Sequence, residues 1–217
     1  MELLAFFQSH WSEAVGLTLQ HLRLVGASVG IAIVTGVPLG IYVSQKESLA
    51  EFILALAGMV MTIPSIAMFG ILIPILSLIN QGIGFLPAVI ALILYSELPI
   101  IRNTYLAIKN VDPSVRDAAV GMGMTPRQRL LKVELPIAIP VIMAGVRVAV
   151  VMTIGIGAIA AYIGAGGLGV YIAQGISNSY TTMIQAGAVA VSVLAICADV
   201  ILASVQRLYT PKRQATT

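Results

Sequence analysis

Residues 112–136 read DPSVRDAAVGMGMTPRQRLLKVELP, the one extended polar stretch in a chain otherwise built of apolar runs. Two helix starts are written in it. Asp112 precedes Pro113, and Thr125 precedes Pro126 with Gln128 following. Each start therefore offers a side-chain acceptor for the orphan N–H groups of a first turn, ahead of a proline whose missing N–H is not needed there. Thr125-x-x-Gln128 also has capping-box spacing. Gly121 and Gly123 are placed to end the first helix and let the chain turn. These signals predict a short helix over 113–123 and a second segment over 126–136 that leads into the next apolar run. A compact capped pair standing outside a membrane reads as a docking element rather than a tether.

The chain has 217 residues, 59% of them hydrophobic and only 10% charged, with a mean hydropathy of +0.99. Soluble domains carry about 25% charged residues. The composition is that of an integral membrane protein with room for roughly five spans of about 20 residues each. A net charge of +3 and a pI near 9.2 raise the possibility of nucleic-acid binding. The basic residues cluster in short loops between apolar segments, however, so topology accounts for them and membrane lipid, not nucleic acid, is the expected neighbour. The lone Cys197, inside an apolar run, excludes an internal disulfide and reads as a small core residue. The N-terminus carries Glu2 and no basic region, so no cleavable signal is expected.

Working outward gives three regions. Residues 1–21 mix apolar residues with His10, Glu13 and His21, and read as an outer interfacial helix anchored by Trp11. Residues 22–206 form a single transmembrane domain with spans at about 24–43, 52–79, 85–108, 137–163 and 183–205, and a polar loop over 109–136. Residues 207–217 are a basic tail with Arg207, Lys212 and Arg213. With the N-terminus outside, the inner side holds Lys46, Arg102, Lys109, Arg116, Arg127, Arg129 and Lys132 as well as that tail. The outer loops hold no Lys or Arg, and Arg23 alone sits at the outer edge. The charge bias puts the N-terminus out, the C-terminus in and the 112–136 stretch in the cytoplasm.

Several residues stand out within the spans. Pro64 and Pro74 interrupt the second span, and Pro64 predicts a kink or break near Thr62-Ile63-Pro64-Ser65. Irregular backbone at that depth is tolerated where protein buries it or where it lines a wet cavity. Thr62, Pro64, Ser65 and Met68 are therefore candidates for a translocation path or gate, beside the alternative of a plain structural kink. Glu97 lies near mid-membrane without an obvious partner and joins the path candidates. Arg147 and Asp199 reach similar depth when counted from the inner ends of their spans, so they are expected to pair as a structural ion pair. Gly164, Gly166, Gly167 and Gly169 spell G-x-G-x-x-G. The dinucleotide reading needs a preceding strand and a downstream acid, neither of which is present, so a tight glycine loop at the outer mouth is expected. No metal-site, nucleophile or P-loop pattern appears, so a non-catalytic chain is expected that cannot hydrolyse ATP by itself.

The pattern D-A-A-x3-G-x9-V-x-L-P over 117–136 resembles the "EAA" cytoplasmic loop of permease subunits from binding-protein-dependent ABC importers. It departs from the usual pattern at Asp117 for Glu and at Val133 for Ile. The resemblance extends through TIPSIAMFGILIP (62–74), LYSELPIIRNTYLAIKNVDPSVRDAAVGMGMT (94–125), KVELPIAIPVIMAGVR (132–147) and YIGAGGLG (162–169), which are similar to the osmoprotectant branch importing glycine betaine, choline, carnitine or related solutes. The resemblance implies an all-α, five-span type I ABC importer permease core in a bacterial inner membrane, with a cytoplasmic coupling helix. On that reading Asp117, Ala118, Ala119, Gly121, Met122, Gly123, Met124 and Arg127 form the ATPase-coupling set, and Arg129 and Lys132 are further candidates for polar contacts, beside the alternative that Arg127, Arg129 and Lys132 are positive-inside charges near lipid headgroups. It implies two ATPase subunits that carry ATP and Mg, a second permease subunit (identical or related) and an extracytoplasmic binding protein, with no cofactor in this chain. An amino acid such as methionine as cargo, and a stand-alone channel or intramembrane enzyme, remain as alternatives.

Overall fold

The computed structural model describes residues 2–209; Lys212 and Arg213 of the expected basic tail lie outside the described residues. The described chain is helical: α1 (Glu2–Ser9), α2 (Trp11–Val43), α3 (Glu47–Thr62), α4 (Ser65–Ser77), α5 (Phe85–Lys109), α6 (Pro113–Gly121), α7 (Pro126–Arg129), α8 (Leu135–Ile159), α9 (Gly169–Ser177) and α10 (Thr181–Tyr209). A π-helical turn at Leu130–Glu134 joins α7 to α8, and a 3-10 turn at Ala160–Ile163 ends α8. Four of these runs are long and apolar enough to cross a membrane, and α3 with α4 supplies a fifth span as a bent pair.

Helix α5 is the hub, with α2, α3, α4 and α8 packed around it. It is apolar on nearly every side, burying Ala88, Ala91, Leu92, Tyr95, Ile100, Ile101 and Ile108. A helix hydrophobic all round belongs in the interior of a bundle. Helix α2 approaches it through Gly36 and Gly40, one turn apart. A Cβ on Gly40 would come within 2.6 Å of the Thr104 Cβ. This is the small-xxx-small device of membrane helices, in which close backbone approach supplies the dispersion contacts that lipid does not drive.

The N-terminal third differs from the sequence reading. Residues 11–21 are not a separate interfacial helix but the first three turns of α2, a continuous helix of 33 residues. At 1.5 Å per residue that is about 50 Å, so α2 outruns a hydrocarbon core of about 30 Å. Nothing between Trp11 and Leu24 stops a helix, and the break comes instead at His10. Trp11 is exposed, as suits an interfacial anchor, but His21 is fully buried. Its Nε2 lies 3.1 Å from the Ile154 carbonyl of α8, and Gly167 closes over its other side.

The second span is broken outright. Ile63 (φ −72°, ψ 124°) and Pro64 (φ −56°, ψ 137°) are both extended, because a residue before proline is pushed out of the α region. Helices α3 and α4 meet there at 99°. The fourth span, expected from residue 137, is continuous with the cytoplasmic segment: Pro126 to Ile163 is one run. Pro136 lacks an N–H and its ring crowds the carbonyl four residues back, at Lys132. The wider π turn at Leu130–Glu134 absorbs that mismatch.

The outer segment expected as a glycine loop does begin as one, with Gly164, Gly166 and Gly167 all at positive φ. It then forms a helix, α9, whose Tyr171 is fully buried. The helical signal in VYIAQGIS is short and bounded by glycines, which made it read as loop. Cys197, expected in the core, is exposed on α10. Counting apolar residues cannot separate a core face from one turned to lipid or to a partner.

Candidate functional site

The two ends of the bundle have different chemistry. At one end Lys109 of α5 pairs with Glu47 of α3 at 3.1 Å, and helix α6 projects nearby. At the other, the Gly84 N–H donates to the Ile163 carbonyl at 2.8 Å and the Gly167 N–H to Gln20 Oε1 at 3.1 Å. Arg23 there lies over the Phe85 ring, 5.3 Å from its centroid, which gives that guanidinium a local partner.

Helix α6 is capped as its sequence dictates. Asp112 accepts from the Ser114 N–H at 2.8 Å. Its side-chain and backbone hydrogen bonds with Ser114 hold the Asp112 carboxyl below the usual carboxylate range. The cap is therefore complete above that range, and is lost as pH falls through the depressed value. At the other end Gly123 (φ +75°) donates to Val120 O at 2.9 Å and Met124 donates to Ala119 O at 3.1 Å, the two bonds of a Schellman motif. Gly121 takes no part in the turn; it is the last residue of the helix and a Cβ there would meet nothing. At Thr125 the capping box is complete, with Gln128 N–H to Thr125 Oγ1 at 3.3 Å and Thr125 N–H to Gln128 Oε1 at 2.9 Å.

The coupling residues inferred from the sequence divide between two faces. Asp117, Ala118, Gly121, Met122, Gly123 and Arg127 are exposed, as is Val120. Val120 is 54% and Met122 68% exposed. Met124 is half-buried, and Ala119 is fully buried, packed inward and not available for contact. Arg129, one of the candidates for such polar contacts, donates from Nε to Glu134 Oε1 at 2.9 Å.

Glu134 is the residue that sequence reading missed. Its side chain is 3% exposed, and Arg116 Nε lies 3.2 Å from the same Oε1. Arg116 also reaches back with Nη2 to the Ile108 carbonyl and, at 3.5 Å, to that of Lys109, closing the last turn of α5. An acid beside two cations, one of them five residues earlier on a helix, was the available signal.

The candidate path residues are not brought together. Tyr95 donates its hydroxyl to the Ile63 carbonyl at 2.5 Å, so the break faces that side of α5. Glu97 follows two residues later, about 200° around the helix at 100° per residue, and its Oε1 accepts from Thr35 Oγ1 of α2 at 2.6 Å. It therefore packs between α2 and α5 against Gly36, away from the break. Thr62 and Pro64 are exposed, Ser65 is half-buried, and Met68 is buried in the core between α4 and α5.

The structure brings Arg147 and Asp199 together. Arg147 Nη2 donates to Asp199 Oδ1 at 2.8 Å and Nε to the same oxygen at 3.1 Å, while Nη1 donates to Gln206 Oε1 at 2.7 Å. Gln206 in turn donates to the Pro140 carbonyl at 2.7 Å, so the network straps α10 to α8. The pair borders an open cleft of about 840 Å³ lined by Ala144, Val148, Val151, Met152, Ala195 and Ile196. Gly164, Gly166, Gly167 and Gly169 fit the loop against the bundle: Gly166 and Gly167 lie on Gln20 and His21, and Gly169 on the Ala158 carbonyl.

Comparison with known proteins accounts for this arrangement. Residues 32–214 match the family described as "binding-protein-dependent transport system inner membrane component". The chain is 50% identical over 212 residues to the osmoprotectant import permease protein OsmW of Salmonella typhimurium, covering 98% of this chain and 99% of that one. It is 38% identical over 211 residues to the glycine betaine/carnitine/choline transport system permease protein OpuCB of Bacillus subtilis, covering 97% and 95%. Its fold superposes on a chain of the MetNI methionine ABC transporter in an inward-facing conformation with a TM-score of 0.79 at 24% identity, covering 91% and 96%. The chain belongs to the family of inner-membrane components of binding-protein-dependent transport systems.

Proposed function

From that membership we propose that the protein is the permease subunit of an ATP-driven importer for compatible solutes of the glycine betaine, choline or carnitine type. The names of its curated relatives support the cargo. The observation that carries the coupling role is the exposed face of α6, a rigidly capped helix presenting Asp117, Ala118, Val120 and Met122 at the basic end of the bundle. A short helix fixed at both ends transmits displacement as a body, so an ATPase gripping it biases the span equilibrium between inward-open and outward-open states. The chain is a non-catalytic transport subunit. ATP and Mg belong to two partner ATPases, a second permease (identical or related) completes the pore, and an extracytoplasmic binding protein delivers the solute.

The path runs past the break at Ile63–Pro64, where Thr62 and Ser65 line irregular backbone. Asp199 keeps 42% of its side chain exposed within a span, so the cleft it borders meets water or the partner permease, not lipid. The test is reconstitution of the chain in liposomes with its cognate ATPase and binding protein. ATP-dependent uptake of labelled glycine betaine, choline or carnitine is expected, and is abolished by Asp117→Lys with the protein still in the membrane. Uptake of methionine but none of these solutes would overturn the cargo. Flux without ATP would overturn the mechanism.

A further inference from the structure

We infer that Glu134 is the positioning residue through which movement of the docking helix α6 enters the membrane span α8. This rests on the coupling role proposed above. Helix α6 is held to the rest of the chain at few points: Ala119 is its one fully buried side chain, and the turn after it passes through Gly123 at positive φ. Such a turn hinges rather than pushes. The stiff connection is Arg116, which projects from α6 and meets Glu134 at 3.2 Å, in the last residue of the π turn before α8. A buried carboxylate is kept charged only by partners that replace its water, so Glu134 ties its place in the fold to those partners.

The two arginines hold Glu134 unequally. Both guanidinium groups address a single oxygen, Oε1. Arg129 holds it with an aligned hydrogen bond at 2.9 Å, whereas Arg116 Nε is buried without a hydrogen bond of its own despite lying only 3.2 Å away. A displacement of α6 that aligns Arg116 Nε lets Oε1 accept from both arginines, since an ionised carboxylate oxygen has two lone pairs. Arg129 belongs to the α7–α8 run and Arg116 to the docking helix, anchored at the same time on the Ile108 carbonyl of α5. Gaining the Arg116 bond therefore ties Glu134, and with it the π turn, more closely to α5. Glu134 is the last residue of the π turn and α8 starts at the next residue, so a shift of its side chain is applied at the start of the span. Two discrete arrangements of one packed element are what carry coupling between sites.

The experiment uses the whole complex, permease, ATPase and binding protein, with Glu134→Gln and, separately, Arg116→Lys. Glutamine keeps the shape and removes the charge; lysine keeps a charge and loses the fork that reaches both Glu134 and Ile108. Expected for each are ATPase co-purification and basal hydrolysis within about twofold of wild type, and a loss of at least about tenfold in stimulation by solute-loaded binding protein and in uptake. A merely structural role would lower all four together, or none. A fifth readout does not depend on the solute: in a Cys197→Ser background, spin labels at Ser114→Cys and Val148→Cys report the distance from α6 to α8. A nucleotide-dependent change in that distance is expected in the otherwise wild-type complex and is lost with Glu134→Gln. Retained stimulation, a retained distance change, or loss of ATPase co-purification would overturn the assignment. Should Glu134→Gln not reach the membrane, Arg116→Lys decides by the same criteria. Absence of uptake by the wild-type complex for every solute tried would count against the transport reading alone, because the distance measurement stands without it.

Discussion

Tyr95 and Ile63 are joined by a 2.5 Å hydrogen bond from the phenol of the hub helix to the carbonyl exposed where the second span breaks. Pro64 removes the backbone continuation of that helix, and the tyrosine supplies the partner the Ile63 carbonyl would otherwise lack. Tyr95→Phe keeps the packing and leaves the carbonyl unpaired, a loss of about 1–3 kcal/mol. A lowered midpoint of thermal unfolding in detergent is the expected readout, with uptake reduced at equal membrane abundance. An unchanged midpoint would show that water serves the carbonyl equally well.

Arg147→Asp and Asp199→Arg each set two like charges against one another where the ion pair now stands. Because the pair is partly exposed, each single change should cost less than the 3–5 kcal/mol of a fully buried bridge, about 1–3 kcal/mol. Combined, they rebuild the bridge in the opposite sense. Most of the lost stability and uptake should return in the double variant, read by thermal unfolding and transport assay. Stability restored without uptake would instead make the pair a solute contact.

Gly123→Ala forces a side chain into a left-handed conformation in open space, since a Cβ there meets no other atom within 4 Å. The penalty is that of the backbone alone, about 1–2 kcal/mol. Gly121→Ala, inside the helix and equally free of contacts, should stabilise α6 by about 0.5–1 kcal/mol. Amide hydrogen exchange over residues 113–122 should therefore speed up in the first variant and slow in the second. Equal exchange in both would show that the Schellman turn does not hold the helix.

Gly40→Val places branched carbons against Thr104 where even a Cβ has only 2.6 Å. Helices α2 and α5 must then separate, and overpacking of this kind costs about 1–3 kcal/mol. Gly26→Val, on an exposed stretch of the same helix with nothing within 4 Å, is the control and should be tolerated. Recovery of folded protein by size-exclusion chromatography separates the two.

Much of the machinery was legible before any coordinates. The caps at Asp112 and Thr125, the turn at Gly123 and the break at Pro64 are local chemistry: each depends on residues within four positions, and each forms as its letters imply. Pairing of Arg147 with Asp199 could be reached by counting depth, because two charges in a low-dielectric slab have few places to go. Membership of the transport family was likewise written in the spacing of 117–136.

Other features had no local cause. Glu134 is one acid in a basic stretch, and only the folding of α6 back onto the π turn makes it a buried carboxylate between two arginines. Glu97 and Tyr95 are two letters apart, yet helical geometry sends one to α2 and the other to the break. Cys197 and Ala119 are small apolar residues that hydropathy cannot rank, and packing exposes the first and buries the second. The sequence by itself determined the five apolar spans, the caps at Asp112 and Thr125 and the break at Pro64, since those follow from near-neighbour hydrogen bonding and transfer free energy, but not the helix α9 or the start of α2. Tertiary structure alone decided which polar groups meet, because that depends on the rotation of each helix about its axis, set by close approaches such as Gly40 on Thr104.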